Sequence, residues 1–143
     1  MNKKNLLLLL SIMVVTLSMP AVQTNAAELL TSIADKKEGF ISFDKDGTII
    51  NSSLPVKKES INTRVAQNLS GGRWVYYSNL ANWGTQKIGN SNYINYTRYH
   101  GSKAKVGSKV GIASAGANSY SYASAKGNSR DTFSCWYNPN GGY

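Results

Sequence analysis

From Lys103 to Ile112 the side chains alternate: Lys103, Lys105 and Lys109 fall on one parity, and Ala104, Val106, Val110 and Ile112 on the other. Successive side chains of a pleated strand leave opposite faces of the backbone. A two-residue period therefore predicts a half-buried strand with one face on a core and a row of ammonium groups in water. Upstream, Tyr93, Asn95, Thr97 and Tyr99 share one face of a second strand, with Ile94, Tyr96 and Arg98 on the other. His100-Gly101-Ser102 between them reads as a hairpin turn. A basic, tyrosine-rich β-hairpin is thus the expected organising element.

The same punctuated alternation runs on from Gly72. It predicts strands at Arg73–Tyr77, Ser91–Tyr99, Lys103–Ile112, Ser119–Lys126 and Thr132–Tyr137, with breaks at Asn82–Asn90, Ala115–Asn118, Gly127–Arg130 and Asn138–Gly142. Short strands at this spacing, with no convincing helix, indicate an all-β sandwich or small barrel. A domain this small and without disulfides needs large apolar side chains. Trp74, Trp83, Trp136 and several tyrosines are expected to fill the core, each burying roughly 150–250 Å².

The N-terminal part is different. Lys3 and Lys4, the apolar run Leu6–Leu17 and the small-residue exit Pro20–Ala27 have the form of a secretory signal, with cleavage expected after Ala26 or Ala27. A bilayer span needs about twenty apolar residues, and this run is shorter and ends at a proline. Between residues 27 and 70 lies a mixed pro-region or accessory segment. Phe40–Phe43 and Thr48–Ile50 read as short strands around the tight turn Asp44-Lys45-Asp46-Gly47. That run also matches the DxDGT motif of haloacid-dehalogenase-type phosphatases, but the α/β sheet and the downstream acidic pair which that chemistry requires are missing. Ile61, Val65 and Leu69 fall at i, i+4 and i+8, which predicts a short helix over Glu59–Leu69 ended by Gly71. Ser70-Gly71-Gly72 also resembles the double-glycine site of some bacteriocin leaders. A helix stop and flexible joint is the favoured explanation, and processing near this site stays open.

Charge divides the chain at the same place. Six basic and six acidic residues cancel between Glu28 and Ser70; from Gly71 onward eight basic residues face only Asp131, a net +7. Every Trp and Tyr also lies after Gly71. With one cysteine, Cys135, no intramolecular disulfide is possible, and a buried small hydrophobe is its expected role. One histidine, one cysteine and one acid in this part make no hydrolase triad, carboxylate pair or zinc site. No catalytic residue, metal or cofactor is expected, and the protein reads as a binder rather than an enzyme.

Residues 71–137 resemble the lactococcin 972 family of bacteriocins. The resemblance rests on Gly71-Gly72-Arg73-Trp74-Val75-Tyr76, on Ser91-Asn92-Tyr93, on Tyr99-His100-Gly101-Ser102-Lys103, and on the aromatic group Phe133, Cys135, Trp136 and Tyr137. It departs from the family where Lys105 replaces a second histidine, where Ile94–Tyr99 is inserted, and at Cys135. The resemblance implies a small antiparallel β-sandwich of two sheets over residues 71–143. It further implies a secreted, extracellular protein that kills Gram-positive cells by binding the cell-wall precursor lipid II, together with dedicated immunity and transporter proteins. The envelope surface is the expected partner, and nucleic acid is not. Lys103, Lys105 and Lys109, with Tyr93 or Tyr99 nearby, are the expected contact face. A non-lethal wall-glycan-binding module would use the same surface; membrane disruption would require an amphipathic helix that a sandwich lacks.

Overall fold

The computed structural model describes residues 38–56 and 64–143. Among these residues there is no helix, and the order is β1 (Gly39–Phe43), β2 (Ile49–Ser52), β3 (Val65–Leu69), β4 (Gly72–Ala81), β5 (Gln86–Asn95), β6 (His100–Val106), β7 (Lys109–Ala115), β8 (Tyr120–Asn128) and β9 (Phe133–Asn138). They form two antiparallel sheets, a five-stranded one in the order β2-β1-β9-β6-β7 and a four-stranded one in the order β3-β4-β5-β8. The all-β, two-sheet expectation is met.

The core lies between the sheets. Ile41 and Phe43 from β1, Trp74 and Tyr76 from β4, Tyr93 from β5, Ala104 and Val106 from β6, and Phe133, Cys135 and Tyr137 from β9 are all buried. Alternation explains each set, since every second residue of a strand faces inward. At one side β7 and β8 approach so closely that a Cβ on Gly111 would stand 1.8 Å from the Ser124 carbonyl oxygen, so only glycine fits there.

Four expectations are corrected. Lys103–Ile112 is two strands, because Gly107 adopts a left-handed φ of +57° and turns the chain between β6 and β7. His100 is not in a turn; it opens β6 and is fully buried. The chain crosses from one sheet to the other between β5 and β6, so Tyr93 and Lys103 do not belong to one hairpin. The expected helix is a strand over Val65–Leu69, which pairs with β4, and the i, i+4 spacing there reflects every second residue turning inward. Glu59–Thr63 of that stretch lies outside the described residues, as do the secretory signal and Ala26 and Ala27.

The short strands expected at Phe40–Phe43 and Thr48–Ile50 form as Gly39–Phe43 and Ile49–Ser52, with Asp44 Oδ1 accepting from the backbone N–H of Asp46 and Thr48 in the turn. They belong to the sandwich itself: β1 lies between β2 and β9, in register from Gly39↔Tyr137 to Phe43↔Phe133. Composition changes at Gly71, but packing does not. Gly71 forms the β3–β4 turn at φ +72°.

Candidate functional site

Lys103 and Lys105 lie on the outer face of the five-stranded sheet, and register decides their neighbours. Lys103 stands opposite Ile112 of β7 and Trp136 of β9, and Trp136 stands opposite Phe40 of β1. One row therefore crosses four strands as Phe40, Trp136, Lys103 and Ile112. The adjacent row runs Ser42, Ser134, Lys105 and Val110.

Local packing fixes this row. Phe40 stacks on Trp136 with centroids 6.5 Å apart. The Lys103 ammonium sits 4.5 Å from the Trp136 ring centroid and 4.5 Å from that of Tyr143, between two electron-rich faces. Tyr143 is anchored at both ends: its hydroxyl donates to Glu38 Oε2 at 2.8 Å, and its backbone N–H donates to Ser114 Oγ at 3.3 Å. Burial, and then the hydrogen bond to that carboxylate, push the Tyr143 phenol well above its ordinary pKa, so it remains a neutral donor. Ile112 and Val110 are 57% and 56% exposed, which leaves an apolar border beside the two lysines. Neither lysine pairs with a carboxylate; among the described residues the single ion pair is Lys45–Asp46.

The arrangement offers one ammonium between aromatic walls, a second about 6.7 Å along the strand, and flat apolar surface on both sides. It suits a ligand with an anionic group joined to sugar or hydrocarbon. Among the described residues no cluster of three or more His, Cys, Asp or Glu is placed to hold a metal.

The other expected contacts lie elsewhere. Lys109 stands opposite Val106 across the turn and so takes the opposite face parity from Lys103 and Lys105. Tyr93 is fully buried, edge-on to His100 with centroids 5.2 Å apart and 5.1 Å from Tyr137, and presents no ring to solvent. Tyr99 is exposed, and its hydroxyl lies close to Gly142 at the rim of the Tyr143 wall. Trp136, Phe40 and Tyr143 were missed. The size of Trp136 suggests the core, but its parity between the buried Cys135 and Tyr137 marks it as outward.

The motif residues are internal supports. Ser91 Oγ accepts from Trp74 Nε1 at 2.9 Å and donates to the Trp136 carbonyl at 2.8 Å, linking the two sheets beneath the Trp136 platform. His100 places Nδ1 2.8 Å from the Arg98 carbonyl and Nε2 3.0 Å from that of Tyr93. Gly72 leaves space that a Cβ would take from the Ile94 carbonyl, 2.3 Å away. Asn92 points to the outer face of the other sheet, in register with Val75 and Tyr122.

The family model described as Bacteriocin (Lactococcin_972) matches residues 70–137. Over that stretch the chain is similar to the lactococcin 972 bacteriocins, which supports the expected family. No curated protein and no solved structure gives a match. That similarity supports a secreted antibacterial protein and suggests one that is not an enzyme. The lactococcin 972 segment holds Lys103, Lys105 and Trp136; Glu38, Phe40 and Tyr143 are added from outside it.

Proposed function

We propose that this bacteriocin acts by binding a membrane-anchored cell-wall precursor of the lipid II type through the outer face of its five-stranded sheet. The observation that carries the reading is the Lys103 ammonium held between Trp136 and Tyr143, beside Lys105, with no carboxylate among the described residues paired to either lysine. A pyrophosphate meets the two ammonium groups, and sugar or prenyl surface meets Trp136, Phe40 and Ile112. Because Lys105 is exposed, its contribution is screened by salt over about 8 Å at physiological ionic strength.

The test is Lys103→Gln with Lys105→Gln in the full chain. Binding to lipid II and growth inhibition should both fall by about tenfold, with thermal stability close to that of the parent. A folded double variant that binds and kills like the parent would refute this face. If the parent binds lipid II yet inhibits no susceptible Gram-positive strain, the protein is a wall-binding module.

A further inference from the structure

The β4–β5 hairpin ends in a turn with no counterpart in the binding face. Asn82, Trp83 and Gly84 all have left-handed φ values, of 53°, 55° and 82°. For a bulky residue such as tryptophan this conformation is strained. Trp83 gains nothing from packing in return: it is 103% exposed, and its ring stacks on no other among the described residues. Leu80, three positions earlier, is 65% exposed. The two largest apolar side chains of this hairpin end therefore both face water.

Leu80 lines a depression with Lys45, Asp46 and Lys87, and further cationic side chains stand at the same end of the sandwich. Lys109 and Lys126 line one surface depression with Thr85 and Gln86 of the same hairpin. Arg130 follows Ser129, whose N–H donates to the Thr85 carbonyl at 3.1 Å. The carboxylates at this end are already engaged. Asp44 accepts from the N–H groups of its own turn, Asp46 pairs with Lys45, and Asp131 accepts from the Asn128 N–H at 3.0 Å. Lys109, Lys126 and Arg130 have no acidic partner among the described residues. Lys87 is buried and turned inward, with its ammonium donating to the Asp131 carbonyl at 2.7 Å.

We infer that this end of the sandwich is a membrane-surface anchor: Trp83 and Leu80 enter the interface of an anionic bilayer while Lys109, Lys126 and Arg130 meet its headgroups. Indole is apolar in body with one polar N–H, and so favours the headgroup level. Lysines and arginines near an anionic leaflet add to the attraction and are screened by salt. This is docking rather than disruption, because only a turn enters. The anchor uses residues separate from Lys103, Lys105 and Trp136, so it stands or falls independently of the precursor-binding face.

Co-sedimentation of the full chain with vesicles tests it, using phosphatidylcholine with about one-third phosphatidylglycerol against phosphatidylcholine alone. No lipid II is present, so failure of the ligand reading cannot affect the result. The parent should partition onto the anionic vesicles, and tryptophan emission should be quenched by brominated acyl chains. Trp83→Asn, which suits a left-handed turn, should lower partitioning about tenfold and abolish the quenching; Trp83→Phe should restore most of the partitioning. Lys109→Gln with Lys126→Gln should weaken it about tenfold or more at low salt, and much less at high salt. Equal partitioning by parent and folded Trp83→Asn overturns the inference, as does a parent that binds neither vesicle.

Discussion

Replacing Ser91 by alanine removes one oxygen from the middle of the sandwich and tests whether the family motif is structural. Ser91 is fully buried and serves both sheets, accepting from the Trp74 indole and donating to the Trp136 carbonyl. Alanine leaves the indole N–H without an acceptor in a dry site, at a cost of about 1–3 kcal/mol. The carbonyl loses one donor, for about 0.5–1.5 kcal/mol more. The expected loss is thus about 1.5–4.5 kcal/mol, or a melting temperature lower by roughly 6 °C or more for a domain of this size. The assay is urea unfolding followed by tryptophan fluorescence, with the midpoint shifted and the m-value unchanged. Ser42→Ala is the control. Its hydroxyl lies 2.9 Å from Ser134 Oγ but is only half-buried, so water replaces the partner and the loss stays below about 1 kcal/mol. A Ser91→Ala loss no greater than that of Ser42→Ala would refute the reasoning. At temperatures where it remains folded, Ser91→Ala should retain its ligand affinity.

Two further outcomes follow from the core. The Tyr137 hydroxyl is buried without a hydrogen-bond partner among the described residues, and burial, with the nearby Tyr93, pushes its phenol up to about 12; Tyr137→Phe should therefore leave thermal stability unchanged or raise it by about 1 kcal/mol. Cys135 lies fully buried with its Sγ 3.7 Å from the Ile41 carbonyl, and burial holds its thiol well above its ordinary pKa. It should resist alkylation at about pH 8 in the folded protein and react on unfolding; rapid labelling of native protein would contradict its position between β1 and β9.

The alternation after Gly72 was enough to read the fold class and to find β4, β5, β8 and β9, because a period of two survives even where turns are misplaced. It did not show which strands share a sheet. Tyr93 and Lys103 are close in sequence and alike in pattern, yet β5 and β6 lie in opposite sheets, and only long-range pairing decides that. The single strand drawn through Gly107 failed because valines and lysines keep alternating across a tight turn; glycine's left-handed φ resets the register and sends Lys109 to the other face. Lys103 and Lys105 were legible as an exposed pair. Their aromatic walls were not, since Trp136 comes from β9, Phe40 from β1 and Tyr143 from beyond the last strand, and nothing local links them. His100 and Tyr93 carried the family pattern because they build the interior beneath the site.

The position of β9 has a kinetic consequence. This last strand occupies the middle of the five-stranded sheet, between β1 and β6, and β1 pairs with it across most of the chain's length. A chain that ends before Phe133 has neither the centre of that sheet nor the partner that holds β1. Contacts so distant in sequence form late and slowly, on a scale of milliseconds to seconds for folds of this kind. The growing polypeptide therefore cannot complete its five-stranded sheet until the final strand emerges. Truncation before β9 should accordingly cost the whole five-stranded sheet rather than one edge of it.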